Sequence, residues 1–196
     1  MPQNALSTSL TGIHLRPVMH ASLHSLAGRP ASWQRDLLWL TLAFGLLFGA
    51  LLGHRPLANP DEGRYAEIPR EMVASGDWVT PRLNDFKYFE KPPLQYWATA
   101  LAYEVFGEQQ WTSRLWTALT GFAGILLTWF AGSRLFGREA GAYAALISAS
   151  SMLYVLMGHI NTLDMGVTFF ITLGIFSLLI AQKEQQPAQR RNWMWL

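Results

Sequence analysis

Cysteine is absent from all 196 residues, which excludes disulfides, thiolate metal sites and a cysteine nucleophile. Charge is scarce as well. Asp, Glu, Lys and Arg make up 14% of the chain, against about 25% in a typical soluble domain. The formal net charge is only +2 and there is no run of Lys or Arg, so no nucleic-acid partner is expected. No internal repeat is visible, which counts against the repeated halves of many secondary transporters. What the chain has in quantity is apolar surface, at 51% of residues.

That surface is gathered into four stretches without Asp, Glu, Lys or Arg: Leu37–Gly53, Leu115–Ser133, Ala140–Leu163 and Met165–Gln182, of 17, 19, 24 and 18 residues. A helix crossing the ~30 Å hydrocarbon core needs about 20 mostly apolar residues, with about 17 as the lower limit. Trp33, Trp39, Trp111 and Trp116 lie near the edges of these stretches, where an amphipathic ring prefers the headgroup level. The expected fold class is therefore an all-α, multi-spanning membrane protein with about four transmembrane helices. The alternative is a soluble bundle of four buried helices. A cleaved signal peptide is disfavoured, because Gly53-His54-Arg55-Pro56, and no small-x-small site, follows the first apolar core.

The expected plan is a disordered cytoplasmic tail at 1–36, then spans at 37–53, 111–136, 140–163 and 164–182. A long segment at 54–110 lies opposite both ends. The tail, the 134–139 turn and the 183–196 end hold eight Lys/Arg against six in the long segment, a slight bias towards cytoplasmic ends. Trp193-Met194-Trp195-Leu196 reads like the threshold of another span, so the chain is expected to continue.

The long segment has structure of its own. Asn59-Pro60-Asp61-Glu62 looks like a helix start, with Asn59 as cap and Pro60 at the first position. Ile68, Met72 and Val73 recur at helical spacing, Pro69 is expected to kink the helix and Gly76-Asp77 to end it. After a turn-rich stretch at 81–86, Pro92-Pro93 opens a second apolar helix. Both suit amphipathic helices lying in the membrane interface.

Ionisable groups at a lipid boundary are costly, so a functional role is the default hypothesis for them. Three places qualify. Asp61-Glu62-Gly63-Arg64-Tyr65 carries acids that could act chemically or stabilise the first turn of a helix. Tyr88-Phe89-Glu90-Lys91 sets a carboxylate beside an ammonium, either a site or a surface ion pair. Asp164 is either a second acid or the cap of the fourth span. His159 reads as a packed or interfacial histidine. Topology puts the three places on one side of the membrane, where a carboxylate could orient or deprotonate an acceptor and a lysine could neutralise a departing phosphate.

Three ordered motifs carry a resemblance: Asn59-Pro60-Asp61-Glu62-Gly63-Arg64-Tyr65 through Met72, Gly76-Asp77-Trp78-Val79-Thr80-Pro81-Arg82-Leu83, and Tyr88-Phe89-Glu90-Lys91-Pro92-Pro93-Leu94. Together they resemble the first extracytoplasmic loop of the GT-C glycosyltransferases. Within that group they are most similar to the bacterial lipid A aminoarabinose transferases of the protein-mannosyltransferase superfamily. The likeness continues through Arg134-Leu135-Phe136-Gly137 and Thr162-Leu163-Asp164-Met165, covering roughly residues 37–182.

The resemblance implies a GT-C fold of which this chain is the amino-terminal portion, in a bacterial inner membrane, with the active face periplasmic. It implies Asp61 as the main catalytic acid, positioning or activating the acceptor for an inverting displacement, and Asp164 as a second acid facing the same cavity. Arg64 and Tyr65 would line the site, and Lys91 would hold the lipid phosphate with Tyr88 nearby. Glu90 would be one ligand of a divalent metal (Zn, Mg or Mn) whose partner ligand lies outside this chain. The implied donor is a polyprenyl-phosphate sugar and the acceptor lipid A or another extracytoplasmic molecule. A transporter gated by Asp164 and the Glu90-Lys91 pair, and a non-catalytic scaffold, are the readings from other classes.

Overall fold

Helix α4, Gln110–Phe136, is the axis of the molecule; it packs against the helices named below as α1, α3, α5, α6 and α7. The computed structural model describes residues 33–195. A capping box starts α4. The Gln109 amide donates to Thr112 Oγ1 at 2.9 Å, while the Gln109 side chain takes the Thr112 amide. At 27 residues it is about 40 Å long.

Helix α1, Trp33–Gly49, lays Leu40 and Phe48 against α4 and leaves Leu38, Leu42 and Leu46 outward. The tail expected at 1–36 falls outside the described residues except for its last four, which form the first turn of α1. Helix α5, Arg138–Ser150, follows Gly137, whose φ of +99° favours glycine. It crosses α4 so closely that a Cβ on Gly141 would lie 2.6 Å from the Ser133 amide nitrogen.

The third apolar stretch, expected as one span over 140–163, is broken. Helix α5 stops at Ser150, Ser151 is extended (φ −66°, ψ +114°), helix α6 covers only Met152–Met157, and residues 158–163 are non-helical. Helix α7, Asp164–Lys183, then runs uninterrupted to a short α8, Pro187–Met194. Among the described residues, α4 and α7 are the two helices long and apolar enough to cross a membrane.

The two ends of the bundle are chemically distinct. At one, Asp36 of α1 accepts from Arg138 (Nη2–Oδ1 2.6 Å) and Lys183 donates to the Leu135 carbonyl at 2.7 Å. At the other, the end of α1, the start of α4 and the start of α7 converge on the 54–110 segment.

That segment carries its own small core. Helix α2, Asp61–Ser75, and helix α3, Leu94–Phe106, pack Ile68 and Met72 against Tyr96 and Ala100, with Tyr65, Val73, Trp78, Leu83 and Tyr88 around them. A two-residue hairpin, β1 (Arg82–Leu83) and β2 (Phe86–Lys87), turns through Asn84 and Asp85 at φ +53° and +67°, the pattern of a type I′ turn. Glu71 holds that turn, accepting from the Asn84 and Asp85 amides at 2.6 and 3.2 Å.

Asn59 is not the cap of α2. Pro60, at the end of a cis Asn59-Pro60 bond, occupies the cap position with near-helical angles. The Ala58 and Pro60 carbonyls take the Glu62 and Arg64 amides. No side-chain cap forms. The helix also continues through Pro69 and ends at Gly76, whose left-handed φ of +71° lets its amide reach the Met72 carbonyl.

Candidate functional site

Helix α2 presents two chemically different faces, and they divide its acids between them. Asp61, Arg64 and Tyr65 share one face with Ile68 and Met72, because residues three, four and seven apart align on a helix. Glu62, Ala66 and Pro69 share another and are buried.

On the first face a polar chain runs across the surface of the loop. Arg64 pairs with Asp61, its Nη1 lies 3.4 Å from the Tyr88 hydroxyl, and that hydroxyl donates to Glu90. Tyr65 packs its ring on Tyr96, centroids 6.0 Å apart. Burial pushes the Tyr65 hydroxyl above its usual range, and the charges of Asp164, Asp61 and Glu90 push the same way against Arg64. Acids from all three of the places singled out in the sequence thus push the same tyrosine upward. The Tyr88 hydroxyl is likewise raised, chiefly by its hydrogen bond to Glu90.

Asp164 is the exposed first residue of α7; Leu163 holds the cap position and no side-chain cap bond forms there. It borders a cavity of about 260 Å³ with Ser151, Tyr154, Met157 and Thr168, in the gap left by the broken third stretch. Glu90 and Lys91 do not pair: Glu90 takes the Tyr88 hydroxyl, and Lys91 is exposed without an acidic partner among the described residues. No three His, Asp or Glu side chains converge among the described residues, so Glu90 could be one ligand of a metal but not its whole site. Its second oxygen is open for that purpose.

The second face of α2 was not anticipated. Glu62 is fully buried and accepts five hydrogen bonds: from Arg114 Nε and Nη2 (2.8 and 3.0 Å), Arg55 Nη1 (2.6 Å), and the backbone amides of Ala58 (2.7 Å) and Asn161 (2.8 Å). Burial alone would raise its pKa. The Arg114 and Arg55 guanidinium groups and the two amides outweigh that and hold it down at about 2. Arg114, also buried, spends its remaining donors on the carbonyls of Leu52, Arg55 (3.0 Å) and Pro56 (3.1 Å). All five guanidinium hydrogens are thus used.

The signal for this cluster was Arg114 itself, a lone charge at the mouth of an apolar stretch. Such a charge calls for a partner. His159 is packed as expected, stacked on Phe48 with its ring nitrogens 2.7 and 3.0 Å from the Val155 and Leu47 carbonyls.

The undecaprenyl phosphate-alpha-4-amino-4-deoxy-L-arabinose arabinosyl transferase of Aeromonas hydrophila is 38% identical over 154 residues, covering 78% of this chain and 28% of that protein. Its namesake numbered 1 in Proteus mirabilis is 42% identical over 132 residues, covering 65% and 23%. The crystal structure of ArnT from Cupriavidus metallidurans bound to undecaprenyl phosphate superposes with a TM-score of 0.75 at 40% identity, over 83% of this chain and 30% of that one. The chain thus spans under a third of the length of these relatives, and the fold is the GT-C membrane fold over the part it shares. The profile for dolichyl-phosphate-mannose-protein mannosyltransferases matches residues 90–196, more than half of the sequence. On that match, the chain belongs to the dolichyl-phosphate-mannose-protein mannosyltransferase family.

Proposed function

We propose that this chain supplies the acidic loop and the lipid-phosphate contact of a sugar transferase that moves aminoarabinose from undecaprenyl phosphate to lipid A on the periplasmic face of a bacterial inner membrane. The observation that carries the reading is the polar chain Asp61–Arg64–Tyr88–Glu90 across one face of the loop, followed in sequence by Lys91, which is exposed and without an acidic partner among the described residues. In the displacement, an acceptor oxygen bonds to the anomeric carbon as the bond from that carbon to the phosphate oxygen breaks. Asp61 orients the acceptor and takes its proton, and Arg64 and Tyr65 shape the approach. Lys91 holds the departing lipid phosphate with Tyr88 beside it, and Asp164 supplies a second negative wall. Glu90 contributes one ligand to a divalent cation completed from outside this chain, which would add positive charge next to that phosphate. A different sugar, or a protein acceptor, is the second reading, favoured by the family description itself.

Lys91→Ala in the full-length protein should weaken binding of undecaprenyl phosphate about tenfold or more, because a charge-assisted contact is lost beside a phosphate. Lys91→Arg should retain part of it, since the charge stays and its geometry changes. Titration of the purified protein with the lipid reads both. Wild-type affinity in Lys91→Ala would remove the phosphate role.

The side of the membrane is open to direct labelling, because this chain contributes no cysteine of its own. Cysteine placed at Val79, 82% exposed in the loop, should react with an impermeant maleimide on intact spheroplasts. Cysteine at Gln185, at the other end of the bundle, should react only after permeabilisation. The reverse pattern would put the acids on the cytoplasmic face.

A further inference from the structure

Asp61 and Asp164 lie 103 positions apart in sequence, yet one side chain joins the segments that carry them. Glu62 follows Asp61 directly, and its Oε1 accepts from the amide of Asn161, three residues before Asp164, at 2.8 Å. We infer that Glu62 is a positioning residue: its buried carboxylate locks the helix that carries Asp61 and the turn that carries Asp164 into one frame. The inference rests on the proposed transferase reading for its kinetic consequence, though not for its geometry.

The need for such a lock comes from the broken third stretch. Residues 158–163 are non-helical; the Gly158, His159 and Thr162 amides bond locally, to the Tyr154, Leu156 and Ile160 carbonyls, but the Asn161 amide and the His159 carbonyl have no such local partner among the described residues. Those two groups find partners in the loop, and the Asn161 side chain does so as well. Glu62 takes the Asn161 amide, Arg55 Nη2 donates to the His159 carbonyl at 3.2 Å, and Gln95 Nε2 donates to Asn161 Oδ1 at 2.9 Å. Of the three side chains, Glu62 is the one that itself also bonds α4, through both Arg114 contacts; Arg55 meets Arg114 by its carbonyl. The carboxylate is fixed in all directions by five donors, so it can transmit position; a mobile group could not. Lys91 itself makes no bond to Glu62, Arg114 or Asn161 among the described residues; it precedes α3, whose Tyr96 and Ala100 pack on Ile68 and Met72 of α2, a contact that does not depend on the Glu62 carboxylate.

Shortening the lock should therefore loosen the two acids relative to one another and leave the lipid contact intact. Glu62→Asp keeps the charge but removes one methylene, so it cannot reach Arg114 and Asn161 together. In the full-length protein we expect kcat to fall roughly 10–100-fold, as for a misplacement on the order of 1 Å, with the donor KM changed less than about threefold. Arg55→Gln, at the half-exposed rim, is a milder second variant that should move kcat in the same direction even if Glu62→Asp folds poorly. Spin labels at Ala74 and Val167, exposed on α2 and α7, give a readout independent of sugar transfer. Their distance distribution should broaden in both variants and not in Asp85→Asn, an exposed acid at the hairpin tip. Unchanged kcat and distances in both variants would overturn the inference. So would a loss of activity matched by loss of folded protein alone, with kcat per folded molecule unchanged. Broadened distances in a protein that transfers no sugar would sink the transferase reading and leave the lock standing.

Discussion

Arg114→Met in the full-length protein should cost about 3–5 kcal/mol of stability, the scale for breaking a buried ion pair by removing one partner. The damage comes from what remains. Glu62 is fully buried, and without Arg114 two of its five hydrogen bonds vanish while its desolvation stays. The Leu52, Arg55 and Pro56 carbonyls lose their donor as well. A double variant, Arg114→Met with Glu62→Met, should be no worse than Arg114→Met alone, because no buried charge is then left unpaired. Thermal unfolding in detergent is the measurement, and a wild-type midpoint in Arg114→Met would contradict the account.

The pH dependence gives the same cluster a second signature. Glu62 has its pKa lowered from 4.5 to about 2 in the folded protein. Its stabilisation, about 3 kcal/mol from a shift of this size, is therefore complete above about pH 4.5 and is lost as pH falls towards 2. Glu62→Gln should unfold more easily at neutral pH and lack that part of the acid sensitivity.

The apolar stretches show how much of the architecture is local. Met165–Gln182 reads as a span because nothing interrupts its pattern, and α7 is one continuous helix. Ala140–Leu163 is equally uncharged, yet absence of charge is not helicity. The break at Ser150-Ser151 and the segment His159–Thr162 are accommodated partly by local bonds and partly because Glu62 and Arg55 take up the Asn161 amide and the His159 carbonyl from 99 and 104 residues away. No window of sequence contains that information.

The same holds for the loop acids. Asp61 and Glu62 are adjacent and chemically alike, and the helix alone turns one outward and the other into the bundle. As a bare dipeptide they invite Glu62→Gln as a charge control for Asp61. The structure removes that use, since Glu62 holds the fold. The hairpin at Asn84-Asp85 was legible as a turn, because those residue types tolerate positive φ; its anchoring by Glu71 was not.

Asp61→Asn is expected to lower sugar transfer by ~10²–10⁴-fold, the range for loss of a positioned acid or base. That is about 2.7–5.5 kcal/mol in the barrier. The competing view makes Asp61 a first-turn acid whose charge merely suits the helix dipole, an effect of about 0.3–1 kcal/mol on stability. The structure narrows the contest. Asp61 makes no capping bond to the backbone, its side chain is 60% exposed, and its partner is Arg64 on the same face. Asn keeps its size, so α2 should form as before, held by its core of Ile68 and Met72 and by Glu62. Asp85→Asn replaces Glu62→Gln as the control: it removes an equal charge from an exposed position that asparagine tolerates well, and should leave transfer within about twofold. Transfer is measured on detergent-purified full-length protein, per folded molecule, at saturating donor. If Asp61→Asn folds like wild type and transfers within a few-fold of it, the charge of Asp61 serves the helix and not the chemistry, and the acid that activates the acceptor must be sought at Asp164.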